Sequence, residues 1–179
     1  MKRLRASDSR ICLETVPKEK RLYIGNAEGM QMIFIFMGIA AAVFAADLVI
    51  KNRVEKSGSL PRGVWKGRIV LQKYHNSGAM LNFGEKRQGL VAAASVLLTL
   101  FVLAVFILSL GQRGNNLLRT GLALLLGGAF NNTYDRLKRR YVVDYISFQV
   151  RWKRFANIVF NLSDFCIMAG AMISCFAAK

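Results

Sequence analysis

The run LVAAASVLLTLFVLAVFILSL, Leu90–Leu110, decides the fold. It carries no charged residue, and about 20 apolar residues are what an α-helix needs to cross a hydrocarbon core of about 30 Å. Three more stretches approach that length: Met32–Ile50, Leu117–Tyr134 and Ile158–Ala178. Their hydrophobicity runs all round rather than along one face, as a lipid-embedded helix requires. Small residues recur inside them at Gly38–Ala42, Ala92–Ala94, Gly127–Ala129 and Ala169–Ala171. Such residues let helix backbones approach closely, so the expectation is a mainly α membrane protein built as a four-helix transmembrane bundle.

The rest of the composition agrees. The chain has 179 residues, 54% of them hydrophobic, with a mean hydropathy of +0.31. That is more apolar surface than a soluble domain of this size hides in one core, and the opposite of a disordered composition. Lys and Arg number 26 against 10 Asp and Glu, a net charge of +16. The ordinary reading of such basicity is nucleic-acid binding. Here the charge is segregated from the apolar runs, so a membrane protein is the better reading and no nucleic-acid partner is expected. Cys12 lies in the polar leader while Cys166 and Cys175 share one apolar run, which suggests free thiols rather than a disulfide framework. The single histidine, His75, excludes an HExxH motif or a histidine cluster, and there is no GxGxxG, Walker loop or GxSxG. Neither a metal nor a cofactor is expected.

Four spans put both termini on one side of the membrane. The connections Lys51–Gln88 and Arg136–Asn157 then share the other side, and Gly111–Asn116 is a tight loop. Each long connection holds a strand-like segment, RIVLQKY at Arg68–Tyr74 and YVVDYISFQV at Tyr141–Val150. A small β-sheet lying on the membrane surface is the simplest way to pair their backbones. Residues 1–31 read as a polar, basic tail and residues 32–179 as the four-span domain. A cleaved signal peptide ending near Ala45-Ala46 is disfavoured by the long polar lead before the apolar run. Ten Lys and Arg fall on the terminal side and sixteen on the two long connections, so positive-inside counting taken literally would make the connections cytoplasmic.

Acidic residues are scarce, and four of them, Asp47, Asp135, Asp144 and Asp164, fall at one membrane face of this topology. Asn76, Asn131, Asn132 and Asn161 lie beside them. Ionisable groups at such depth are costly unless paired or functional. Asp47 and Lys51, four apart, suit a structural ion pair on one helix face. Asp144 and Asp164 suit chemistry. Two neighbouring carboxylates cannot both ionise, so they share one proton: the ionised partner takes a proton from water while the protonated one donates to a carbonyl oxygen. That hydrolyses a peptide bond without a covalent intermediate.

At these residues the sequence resembles the lipoprotein signal peptidases, the signal peptidase II family. Five patches match in order and spacing: DLVIK at Asp47–Lys51, NSGA at Asn76–Ala79, GAFNNTYDR at Gly128–Arg136, VVDY at Val142–Tyr145 and FNLSD at Phe160–Asp164. The resemblance implies a membrane aspartic endopeptidase that removes signal peptides from diacylglyceryl-modified prolipoproteins, with Asp144 and Asp164 as catalytic pair. It implies that Asn132, Asp135, Arg136 and Asn161 orient the pair and the substrate backbone, with Asn76 and Gly78 near the site. It also implies a bacterial plasma-membrane location with both termini cytoplasmic and the pair toward the outer leaflet, which overrides the charge count. A monomer is the expected state. Asn131 stands where the family has glycine, and asparagine suits a left-handed turn there. Ser163 replaces alanine and is expected to bring a hydroxyl beside Asp164, and Met80-Leu81 replaces Ala-Phe. Arg62, Lys66, Arg68, Lys138, Arg139, Arg140, Arg151, Lys153 and Arg154 are candidates to face anionic lipid headgroups. The rival readings are a lipid- or peptide-binding membrane protein without chemistry and a presenilin-type protease. The second lacks its GxGD motif and enough spans. A serine–lysine signal peptidase is disfavoured because no matching Ser–Lys pair is present.

Overall fold

The computed structural model describes residues 18–78, 87–111, 114–149 and 158–178, with side chains from residue 29 onward. The described residues form four helices and four strands: α1 (Lys18–Lys56), β1 (Arg62–Val64), β2 (Ile69–Asn76), α2 (Gln88–Leu110), α3 (Asn116–Lys138), β3 (Val142–Phe148), β4 (Val159–Phe160) and α4 (Leu162–Ala177). Met80-Leu81, Arg151, Lys153, Arg154 and Cys12 lie outside the described residues. Two compact units divide the chain at Ile35/Phe36, and the site belongs to the second.

Two of the helices, α1 over Gly29–Lys56 and α2, are long and apolar enough to cross a membrane. The other two differ from the apolar stretches that suggested them. α3 continues past Tyr134 to Lys138, because Asp135 and Arg136 are helical residues. α4 begins only at Leu162: Val159 and Phe160 pair with β3 as the edge strand β4, which leaves an apolar helix of 16 residues. α1 begins at Lys18, well before its apolar stretch.

α3 packs on both α2 and α4. Glycine makes that approach possible. A β-carbon at Gly128 would come within 2.6 Å of the Ser163 carbonyl oxygen, and one at Gly127 within 2.6 Å of the Ala40 carbonyl oxygen on α1. The small residues at 127–128 therefore serve close packing, whereas Gly38 meets nothing within 4 Å.

The sheet is antiparallel in the order β1-β2-β3-β4, so the two long connections do pair. Leu71 pairs with Ile146, and Tyr74 with Asp144, so β2 holds one extra residue between them. This bulge reverses which β2 side chains face which way. Beyond it Tyr74 and Asn76 share the face of Asp144; an unbroken register would have turned Asn76 away.

Candidate active site

The site is assembled where β3 meets the start of α4. Asp144 sits mid-strand in β3 and is almost wholly buried. Its Oδ2 accepts from Asn76 Nδ2 at 3.0 Å, the contact that the bulge makes possible, and its Oδ1 accepts from Asn161 Nδ2 at 2.7 Å. Asp164 is fixed by the helix it opens. Asn161 is the N-cap: its Oδ1 accepts from the Asp164 backbone N–H at 2.9 Å, and Asp164 Oδ2 accepts from the Asn161 N–H at 3.0 Å. This is a reciprocal capping box. Asp164 Oδ1 accepts from Asn132 Nδ2 on α3 at 2.9 Å. Asn161 thus touches both carboxylates, one through its side chain and one through its backbone.

Asp144, Asp164, Asn76, Asn132 and Arg136 line one cavity of about 210 Å³, whose other walls are Val142, Ile158, Val159, Phe160, Ile167 and Met168. Arg136 donates to the Gly78 carbonyl at 3.2 Å, and Gly78 N–H caps Asn76 Oδ1 at 3.2 Å. Burial pushes the Asp144 carboxyl up to about 7, and the neighbouring Asp164 charge adds to the effect. The Asn76 and Asn161 donors and the Lys51 charge work against it. A carboxyl poised at that value can hold or release a proton near neutrality.

Behind the cavity lies a second polar cluster. Lys51, on α1, is fully buried and pairs with Asp47 Oδ2 at 3.1 Å and Asp135 Oδ2 at 3.0 Å. Asp47 in turn accepts from the Tyr145 hydroxyl at 2.8 Å, from the Ser163 N–H at 3.2 Å and from the Ser163 hydroxyl. Asp135 also pairs with Arg139 at 3.4 Å.

Two expectations change here. Ser163 gives its hydroxyl to Asp47, not to Asp164. Asn131 is an ordinary helical residue of α3 rather than a left-handed turn, and its buried side chain donates to the Phe44 carbonyl and accepts from Lys51. The face Gly128, Asn131, Asn132, Asp135 follows helical spacing, so sequence alone contained that signal. Tyr145 closes the VVDY patch, but the sequence gives it no role; its oxygen both donates to Asp47 and accepts from the Leu162 N–H at 3.0 Å. Burial and the Asp47 carboxylate raise the proton affinity of that phenol. Among the described residues no three His, Cys, Asp or Glu side chains converge as a metal-ligand set.

Two carboxyls held by amides in a cavity at one end of an apolar helix bundle have the make-up of an aspartic peptidase site. The comparisons narrow the class. Residues 39–178 match the family profile described as signal peptidase (SPase) II, and the chain belongs to that family. It is 33% identical over 145 residues to the lipoprotein signal peptidase of Moorella thermoacetica, covering 79% of this chain and 90% of that one. It is 34% identical over 142 residues to the lipoprotein signal peptidase of Histophilus somni, covering 76% and 83%. A bacterial membrane enzyme solved by the in meso method at 2.3 Å shares the fold, with a TM-score of 0.69 at 21% identity over 82% of this chain and 88% of that one.

Proposed function

We propose that Asp144 and Asp164 are the catalytic pair of this signal peptidase II enzyme, and that it cuts prolipoproteins just before a diacylglyceryl-modified cysteine. The single observation that carries the assignment is Asn161, which holds one carboxylate at 2.7 Å and the other at 3.0 Å. The pair shares one proton, and its titration belongs to the two groups together. Water attacks the scissile carbonyl carbon and gives a proton to the ionised carboxylate. The protonated partner donates to the carbonyl oxygen, and collapse of the resulting diol breaks the C–N bond: the carboxyl that took water's proton passes it to the leaving nitrogen, and a diol hydroxyl returns its proton to the other carboxylate, restoring the singly protonated pair.

The surroundings suit that substrate. Arg136 and Asn132 border the pair and can engage the peptide backbone. Ile158, Val159, Phe160, Ile167 and Met168 make an apolar wall suited to a signal peptide and acyl chains. Exposed Met168 and Met172 on α4 and the outward leucines of α2 suit a lipid surround, so acyl chains would enter sideways between helices. We place both termini in the cytoplasm and the pair toward the outer leaflet, with all four helices spanning and the sheet at the membrane surface. Exposed Arg62, Lys66, Arg68 and Arg140 then meet anionic headgroups, whereas Arg139 is committed to Asp135 and Asn52.

The test is cleavage of a synthetic diacylated prolipoprotein by the purified protein. Asp144→Asn and Asp164→Asn should each abolish turnover while the variants still insert and fold. Full activity in either variant would refute the pair, and substrate binding without turnover by the wild type would favour the rival binding protein.

A further inference from the structure

The Asp47–Lys51 pair does more than hold a helix turn together. Four acceptors surround the Lys51 ammonium, which has three donors: Asp47 Oδ2, Asp135 Oδ2, Asn131 Oδ1 at 2.6 Å and Asn132 Oδ1 at 2.8 Å. The Asn132 contact has a directional consequence. An ammonium accepts nothing, so the amide must present its oxygen to Lys51 and its NH₂ to the opposite side. That NH₂ is the group donating to Asp164 Oδ1. The other half of the pair reaches the site from behind: Asp47 holds Tyr145, the neighbour of Asp144, and Ser163, the neighbour of Asp164.

The charges add a second argument. The buried and half-buried groups around the cavity are the carboxylates Asp47, Asp135, Asp144 and Asp164 and the cations Lys51, Arg136 and Arg139. Four against three, this set is neutral when Asp144 and Asp164 together keep one proton, and a low-dielectric interior favours neutrality. Without Lys51 the set is neutral only when that pair holds two.

We propose that Lys51 is a positioning residue for hydrolysis, acting through Asn132 on Asp164 and supplying the positive charge that balances the carboxylate pair in its singly protonated form. This rests on Asp144 and Asp164 being the reacting pair. The charged groups facing Asp144 are Asp164 from α4, Lys51 from α1 and Arg136 from α3, while β2 contributes the amide of Asn76 and the phenol of Tyr74, the cross-strand partner of Asp144. Removing the Lys51 charge should move both limbs of the pH profile up. Removing the Asp47 charge should move them down. A scaffold role gives no reason for opposite shifts.

The experiment is the pH dependence of kcat/KM on a diacylated lipopeptide in micelles for wild type, Lys51→Met, Lys51→Arg and Asp47→Asn. Lys51→Met should lose about 10- to 100-fold in rate and shift its limbs up by about one pH unit, the size expected for one nearby charge. Lys51→Arg should lose rate with its limbs in place, and Asp47→Asn should shift down. A folded Lys51→Met enzyme slowed uniformly, with limbs unmoved, overturns the proposal. If Lys51→Met does not fold, Asp47→Asn decides, and limbs unmoved or shifted up overturn it. An Asp144→Asn variant that still cleaves overturns the pair assignment and this inference together. Unmoved limbs in an enzyme that depends on Asp144 overturn this inference alone.

Discussion

α2 and α3 are both 23 residues long, and their burial runs opposite to their polarity. In α2 nearly every residue is apolar, yet only Thr99, Phe106 and Ser109 are buried. α3 carries Arg119, Asn131, Asn132, Thr133 and Asp135, and all are buried. In water this arrangement would be inverted. Where the solvent is lipid, apolar side chains gain nothing by turning inward, and polar groups must find partners inside the bundle. The polar helix is therefore the central one, and its polar end faces the cavity.

The comparison is sharpened most by asking what burial does to the inward acid. Asp144 is shifted from an ordinary value of 3.8 to about 7. Below about pH 4 it is protonated folded and unfolded alike. Between about 4 and 7 the folded protein keeps a proton that the unfolded chain has released, so unfolding free energy falls as pH rises through that window. The loss is bounded at about 4 kcal/mol. Asp144→Asn should remove this slope, so the variant gains stability over wild type from pH 5 to pH 8 in detergent melts. A parallel pair of stability curves would contradict the shift.

Next in size is Asn132→Leu on α3. The substitution keeps the side chain's shape but deletes the donor to Asp164 and an acceptor of Lys51. On the proposed pairing of Asp144 with Asp164, a fall in kcat of about 100-fold is expected, because the amide that orients Asp164 is lost and a buried charge loses a partner. Steady-state kinetics on the lipopeptide measures it, and a change under threefold would mean the amide is packing only.

This contrast also shows what sequence could reveal. The apolar runs set the number of helices because lipid thickness fixes their length, and Arg68–Tyr74 and Tyr141–Val150 show strand composition openly. The helix ends were hidden: Asp135 and Arg136 look like a loop until Lys51 and Gly78 are there to receive them. The aspartates and asparagines were visible as rare polar residues at one face. Their pairing was not, because it depends on a β-bulge between Leu71 and Tyr74 and on a capping box that closes only when α4 starts at Leu162. Ser163 was misread for the same reason. Adjacency in sequence suggested Asp164, while the helix geometry turns its hydroxyl toward α1.

Between the two extremes lies the seam where the helices meet. Thr99 on α2 and Thr133 on α3 share a hydrogen bond of 2.9 Å, and the Thr133 hydroxyl also reaches the Ser95 carbonyl at 3.3 Å. Thr99→Val keeps the shape and removes one partner, which should cost about 1 kcal/mol in unfolding free energy with little effect on cleavage.

The smallest effect belongs to the outward face of α2. Phe101 is 66% exposed, and Leu97, Leu98 and Leu108 on the same helix are at least as exposed, an apolar patch that in a water-soluble protein would invite aggregation. If lipid covers this helix, Phe101→Ala removes contacts with acyl chains that simply rearrange, and no cavity is left to carry the several kcal/mol that a core Phe→Ala truncation costs. The unfolding free energy should then stay within about 0.5 kcal/mol of wild type, and kcat/KM within about twofold. A loss comparable to that of Thr99→Val or larger would mean that protein, not lipid, packs on this face. α2 would then be an internal helix with an unseen neighbour, and the inversion between α2 and α3 would need another explanation.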